Sequence, residues 1–268
     1  TYTFAQLGSA ALFVADQIER TTTAHHVGIL LPTSGTFPAA LLGAWLAGRV
    51  AVPLNYLLAQ DELAYVIGDS DIDTIITYGR MLDFLGGDGP LSAIPSGTRL
   101  IKLEEVDFTG FPEPRWPPFY GCDDLAVILY TSGTSGRPKG VMLSHGNLHA
   151  DADAGIQHSG ITHADTFLGV LPQFHSFGLT ASTLIPLRVG ATAVYTARFV
   201  PKKIVTLIKR HKPDIIMAVP SMYGALLSVK SAEPADFSSI RLAVSGGEPL
   251  PTATYDACLD RFNLKLFE

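Results

Sequence analysis

The stretch YTSGTSGRPKG, Tyr130–Gly140, decides how this chain is read. It follows the apolar run LAVIL (Leu125–Leu129) and precedes VMLS (Val141–Ser144), and both flanks have strand character. Between them lie three glycines, four Ser/Thr hydroxyls and two cations. Each glycine costs about 0.5–1 kcal/mol to order relative to alanine, so the segment is costly to hold in one shape. One reading is an ordinary Gly/Ser turn between two strands, although such turns need roughly two to five residues. The other is anion capture. Small residues let backbone N–H groups approach an anion, Thr131, Ser132, Thr134 and Ser135 add hydroxyl donors, and Lys139 adds a full charge. A hydrogen bond to a charged group contributes about 1.5–3 kcal/mol, so several would offset the glycine cost. A Walker loop is excluded. It needs glycine immediately before the lysine and a helix after it; here Pro138 precedes Lys139 and a strand follows. The dinucleotide G-x-G-x-x-G pattern fails as well.

Outward from the loop, short β-rich runs alternate with helical ones. VGILL (Val27–Leu31), AVPL (Ala51–Leu54), DTIITY (Asp73–Tyr78), FLGVL (Phe167–Leu171), TAVY (Thr192–Tyr195), DIIMAV (Asp214–Val219), LAVS (Leu242–Ser245) and LKLF (Leu264–Phe267) read as buried strands. TYTFAQLGSAALFVADQIE, FPAALLGAWLAG (Phe37–Gly48), QDELAYVIGDS (Gln60–Ser70), PKKIVTLIKRH (Pro201–His211) and SMYGALLSVK (Ser221–Lys230) read as helices. The alternation predicts an α/β fold with mostly parallel sheets covered on both faces. FPEPRWPPFYG (Phe111–Gly121), with four prolines, reads as a stiff linker into the strand before the loop.

Composition narrows the function. With 47% hydrophobic and 16% charged residues, a sizeable core is available. A net charge of −6 argues against a nonspecific nucleic-acid or anionic-membrane binder. The longest apolar stretch, 12 residues from Phe37 to Gly48, is shorter than the roughly 18 that a bilayer span needs, so no transmembrane segment is expected. Two distant cysteines, Cys122 and Cys258, suggest neither a disulfide framework nor a zinc site, and a cytoplasmic setting is expected. His145 and His149 share i, i+4 spacing, but Gly146 stands where a zincin carries glutamate, so no metal role is assigned. His175, alone among apolar residues in LPQFHSFG, is by itself a satisfied core histidine more often than a catalyst. Gly246 and Gly247, after the strand LAVS, read equally as a plain turn and as a seat for a flat ring beyond a strand end.

YTSGTSGRPKG closely resembles the phosphate-binding signature of the adenylate-forming superfamily, which comprises acyl-CoA synthetases, luciferases and peptide-synthetase adenylation domains. Ser135 stands where threonine is commoner. The resemblance extends through VAVPLNYLLAQDELAYVIGDSD (Val50–Asp71), through LPQFHSFGLT (Leu171–Thr180), similar to the family's acyl-pocket motif, and through SGGEPLP (Ser245–Pro251), similar to its adenine-binding turn. It implies an ATP- and Mg2+-dependent activation of a fatty or other carboxylic acid to an acyl-adenylate, then transfer to CoA or acyl carrier protein. Residue by residue, it implies that Thr131, Ser132, Gly133, Thr134, Ser135, Gly136 and Lys139 hold the β- and γ-phosphates. Gly246, Gly247, Glu248 and Pro249 would hold the adenine, and His175, with Phe177 and Gly178, the carboxylate end of the acyl pocket. His175 and Lys139 are the expected catalytic residues.

The implied architecture is two interleaved subdomains, residues 25–165 in one, and residues 1–24 plus 166–268 in the other. Both ends of the chain read as cut. The magnesium-binding glutamate and a small C-terminal domain would lie past Glu268, so the chain is expected to be an N-terminal fragment, itself inactive or impaired. Ser176-Phe177-Gly178 after the FH element, in place of an acidic residue, favours a simple acid over an amino acid. The competing expectations are an aryl or amino acid adenylation domain and a non-catalytic nucleotide-binding fragment.

Overall fold

The computed structural model describes residues 2–86, 94–131 and 137–268, with the side chains of 84–86 left aside. The chain divides into two compact units, Thr1–Ala150 and Asp151–Glu268.

The first unit is built on a six-stranded sheet. In chain order its elements are α1 (Phe4–Thr21), β1 (His26–Ile29), α2 (Thr36–Leu46), β2 (Val50–Pro53), α3 (Gln60–Asp69), β3 (Thr74–Thr77), α4 (Gly79–Gly86), β4 (Arg99–Lys102), β5 (Leu125–Thr131) and β6 (Lys139–Ser144). The strand order is β4-β3-β1-β2-β5-β6. All pairs are parallel except β5–β6, which are antiparallel. The fully buried Val27, Ile29, Val52, Ile75 and Val127 make the sheet's centre. Leu63, Val66 and Ile67 of α3 pack with Leu30, Val52, Leu54 and Ile75 into one core cluster.

α1 packs on α2 within this unit, whereas the resemblance had placed residues 1–24 with 166–268. The seam explains it. A Cβ on Gly43 of α2 would come 2.7 Å from Val14 Cγ1 and 3.0 Å from the Ala11 carbonyl oxygen, so only glycine lets the helices approach this closely. Ala11, Val14, Ala15 and Ile18, the apolar stripe of α1, are buried there. A Thr3–Gln6 capping box starts the helix. The proline-rich linker forms no strand. Arg115 pins it to Glu19 of α1 at 2.7 Å, and Tyr120 donates its hydroxyl to the Trp45 carbonyl.

α5 (His145–Ser159) crosses the boundary between the units. The second unit continues with β7 (Thr166–Gly169), α6 (Ser176–Leu179), a π-helical turn at Thr180–Leu184, α7 (Ile185–Val189), β8 (Thr192–Tyr195), α8 (Pro201–His211), β9 (Ile215–Ala218), α9 (Pro220–Leu227), β10 (Leu242–Ser245), α10 (Thr252–Phe262) and β11 (Leu266–Phe267). Its five strands are all parallel, in the order β11-β10-β9-β7-β8. The central β9 is buried along its length, and α8 buries Ile204, Val205 and Ile208. The fold is therefore α/β with two largely parallel sheets layered with helices. No helix of the described residues is long and apolar enough to cross a membrane.

Candidate functional site

The loop quoted first is flanked by a hairpin. β5 runs buried from Ala126 to Leu129, is half-buried at Tyr130 and emerges at Thr131. β6 returns antiparallel, with Thr131 opposite Lys139 and Tyr130 opposite Gly140. The backbone thus sets the two ends of the loop side by side, with Thr131 and Lys139 exposed and Pro138 buried. The middle of the motif, Ser132, Gly133, Thr134, Ser135 and Gly136, lies outside the described residues. Gly140 is required sterically: a Cβ there would stand 2.9 Å from Ile128 Cγ2 and 3.1 Å from the Tyr130 ring.

Side chains that the sequence did not single out hold this hairpin. Tyr130 donates its hydroxyl to Asp69 Oδ2 at 2.6 Å, and Tyr65 donates to Asp69 Oδ1 at 3.1 Å. The Arg137 guanidinium lies over the Tyr65 ring, 5.3 Å from its centroid. Burial, and then the hydrogen bond to Asp69, push the Tyr130 phenol well above its usual range, so it stays a donor. A carboxylate at the end of α3 therefore anchors the entry of the loop, and the Tyr65 that it also holds lies under Arg137 at the exit.

In the second unit, LPQFHSFG leads from β7 into α6. Phe174 is buried and Gln173, also buried, donates to the Thr183 hydroxyl at 2.9 Å. His175 occupies the N-cap of α6 with its side chain at the surface. Neighbouring protein, including the Phe174 ring 4.6 Å away, strips enough water from it to hold the imidazole below its ordinary pKa. It is neutral at pH 7, able to donate from one ring nitrogen and accept at the other. Gly178 has a strict steric cause. A Cβ there would sit 1.9 Å from the Pro172 carbonyl oxygen, so the helix rests directly on the backbone of the preceding turn.

β10 ends at Ser245, and the SGGEPLP turn follows. Gly246 donates its N–H to the Ala218 carbonyl at 3.1 Å, and its absent Cβ would lie 3.1 Å from the Phe177 ring. The two motifs, distant in sequence, meet at this contact. Gly247 has φ +84°, the left-handed region that favours glycine. Glu248 and Pro249 are exposed beside it. The Ser245 hydroxyl is buried and has no hydrogen-bond partner among the described residues. Tyr223 shares its hydroxyl proton between the Val244 and Ile216 carbonyls, locking the strand behind the turn.

His175 and the Gly246 turn thus follow the carboxyl ends of two strands of one parallel sheet, where α/β sheets bind ligands. An orphaned buried hydroxyl next to two glycines suits a flat, hydrogen-bonding ring such as adenine. Thr131 and Lys139 belong to the first unit; His175, Phe177, Gly178 and Gly246–Pro249 belong to the second. Among the described residues no group of three or more His, Cys, Asp or Glu could hold a metal ion. His145 and His149 lie on α5, and the His145 ring stacks on Tyr120 at 4.2 Å and meets Trp45 edge-on at 5.3 Å.

Comparisons with known proteins bear on this arrangement. A feruloyl-CoA synthase of an Amycolatopsis species is 30% identical over 237 residues, covering 88% of this chain and 46% of that protein. A long-chain-fatty-acid–CoA ligase, FadD13 of Mycobacterium tuberculosis, is 30% identical over 263 residues, covering 94% and 51%. The crystal structure of a benzoate CoA ligase from Burkholderia xenovorans LB400 superposes with a TM-score of 0.87 at 25% identity, covering 99% of this chain and 54% of that one. ATP-bound MatB from Rhodopseudomonas palustris gives 0.84 at 27%, covering 98% and 53%. The chain spans about half the length of the curated relatives it matches. The AMP-binding enzyme profile matches residues 1–268, and the chain belongs to that family.

Proposed function

We propose that the whole protein is an AMP-forming acid–thiol ligase, and that this chain supplies its nucleotide and acid sites. A carboxylate oxygen of the substrate attacks the α-phosphorus of ATP, the bond to the β-phosphate oxygen breaks, and pyrophosphate leaves. A thiol of CoA or of acyl carrier protein then attacks the acyl carbon and AMP leaves. The protein's part in such chemistry is positioning and charge stabilisation.

The observation that carries this reading is the Phe177–Gly246 contact, in a chain matched to the AMP-binding family throughout. It seats the acid-side motif against the turn proposed for adenine. Gly246–Pro249 and the Ser245 hydroxyl would hold the base, His175 would orient the acid, and Thr131, Lys139 and the loop between them would hold the β- and γ-phosphates. ATP brings the electrophilic phosphorus. Mg2+ would screen its phosphates, and its ligands are assigned to no residue of this chain. A fatty acid was the expected substrate. The feruloyl and benzoate enzymes among the relatives support an aryl acid equally. Cytoplasmic placement remains part of the proposal.

The test is ATP–pyrophosphate exchange by the full-length protein with a panel of long-chain, aryl and dicarboxylic acids. One acid class should support exchange, and Lys139→Ala should raise the KM for ATP about 10- to 100-fold, as loss of one charge-assisted contact implies. Its circular dichroism should stay unchanged, since Lys139 is exposed. Unchanged ATP affinity in Lys139→Ala would refute the phosphate role, and exchange with no acid would refute the ligase reading.

A further inference from the structure

We infer that a cavity at the carboxyl edge of the six-stranded sheet is a binding site for a compact, uncharged aromatic molecule bearing a hydroxyl group, separate from the ligase residues. The cavity holds about 390 Å3, within the range of small-molecule sites. Its place follows from the topology. From β1 the chain crosses through α2 to β2 on one side, and from β2 it crosses back through α3 to β3 on the other side of β1. Right-handed crossovers in opposite directions send α2 and α3 to opposite faces. A crevice therefore opens between the ends of β1 and β3, the switch point at which open α/β sheets take ligands. Gly35 and Thr36 follow β1, Tyr78 follows β3 and Leu103 follows β4, and all four line the cavity.

The lining dictates the ligand. Among the described residues that line the cavity, none is charged. Phe13 of α1 and Phe108 meet edge-on at 5.8 Å and 81°, forming an aromatic wall, and Phe108 reaches the solvent at the mouth. Thr36 and Tyr78 bring hydroxyl groups to the wall that follows the strand ends. Thr36 is near enough to act on the Tyr78 phenol, and the Thr36 hydroxyl lies 2.8 Å from the Ser34 hydroxyl. A ligand hydroxyl can join these groups while its ring fills the apolar part. An anion is disfavoured twice. Its charge would be stripped of water without a counter-ion, and the nearby Glu104 carboxylate, bonded to the Gly79 N–H, already acts on Tyr78.

The probe is 1-naphthol, titrated calorimetrically into the full-length protein, with 1-naphthoate as the charged analogue of the same shape. One saturable site is expected for naphthol, with naphthoate at least tenfold weaker. Ala10→Phe, which fills the cavity from α1, should weaken naphthol at least tenfold. Thr36→Val should weaken it about three- to tenfold, and Phe108→Ala, at an exposed position that tolerates change, about fivefold. The inference is overturned if naphthol shows no saturable binding, if naphthoate binds equally, or if Phe108→Ala and a folded Ala10→Phe both retain full affinity. Pyrophosphate exchange is recorded in the same samples. Its absence with naphthol binding intact would count against the ligase reading alone.

Discussion

Gly140, Gly178 and Gly246 each stand where backbone or ring leaves little room for a side chain, and each lies in one of the quoted motifs. Gly178 is the sharpest. Its missing Cβ would overlap the Pro172 carbonyl oxygen at 1.9 Å, and neither partner is the end of a flexible side chain. Gly178→Ala must therefore move α6 off the preceding turn and carry His175 and Phe177 with it. The expected cost is at least about 2 kcal/mol, the upper half of the range for overpacked sites, read as a fall in midpoint during thermal or urea unfolding. Gly224→Ala is the matched control. Gly224 lies on α9 with nothing within 4 Å of its would-be Cβ, so alanine there should be neutral or stabilising by up to about 1 kcal/mol. Equal effects of the two substitutions would show that the Pro172 contact does not restrain α6.

At the level of elements, the sequence discloses strands better than it discloses what holds them. VGILL, DTIITY and DIIMAV are short runs centred on apolar β-branched residues, and they become β1, β3 and β9, buried as parallel strands must be. β4 escaped notice because RLIK is an edge strand with one buried residue in four. α5 escaped as a full helix because HGNLHADADAGIQHS has no clean apolar stripe. Lys139 and the two glycine turns were legible as motifs. The Asp69 anchor was not, since a carboxylate 61 residues before Tyr130 leaves no local pattern. That anchor makes a prediction of its own. Asp69→Ala deprives two phenols of their acceptor, and the half-buried Tyr130 hydroxyl must find water. Amide exchange at Leu129 and Val141, which pair across the hairpin, should quicken about tenfold, roughly the worth of one hydrogen bond, while β1 keeps its protection. Tyr130→Phe, which also removes the buried hydroxyl, should quicken it less. Unaltered exchange in Asp69→Ala would mean that the hairpin holds itself.

For the molecule as a whole, shifted titrations bound stability on both sides of neutrality. Asp165 accepts two bonds from Arg241, at 2.7 and 2.8 Å, and one from the Thr162 N–H, and these hold its carboxyl below the ordinary value. Partial loss of water to neighbouring protein likewise holds the half-buried His145 and the surface His175 below theirs. A group whose pKa is lowered by folding contributes stability that is present above its unfolded value and is lost as pH falls through the folded one. Acid should therefore act in two stages, a shallow loss from about pH 6.5 downward from the histidines and a steeper one below about pH 4 from Asp165. On the alkaline side the sign reverses. Burial raises the Cys258 thiol from its usual 9.0 to about 11. Its contribution is complete below pH 9 and disappears as pH rises through about 11. The half-buried Tyr195 and the buried Tyr223, both raised by loss of water around the phenol, extend the same limb. Unfolding midpoints measured from about pH 2 to pH 11 should form a plateau between about 7 and 8.5, falling on both flanks. Arg241→Met should lower the plateau by about 1–2 kcal/mol, because Asp165 loses a charged partner that is itself well exposed and that water in part replaces, and should flatten the steep acid limb. Cys258→Ala should soften the alkaline limb without touching the acid one. An acid limb of unchanged steepness in Arg241→Met would dissociate Asp165 from acid unfolding and place the burden on groups elsewhere in the chain.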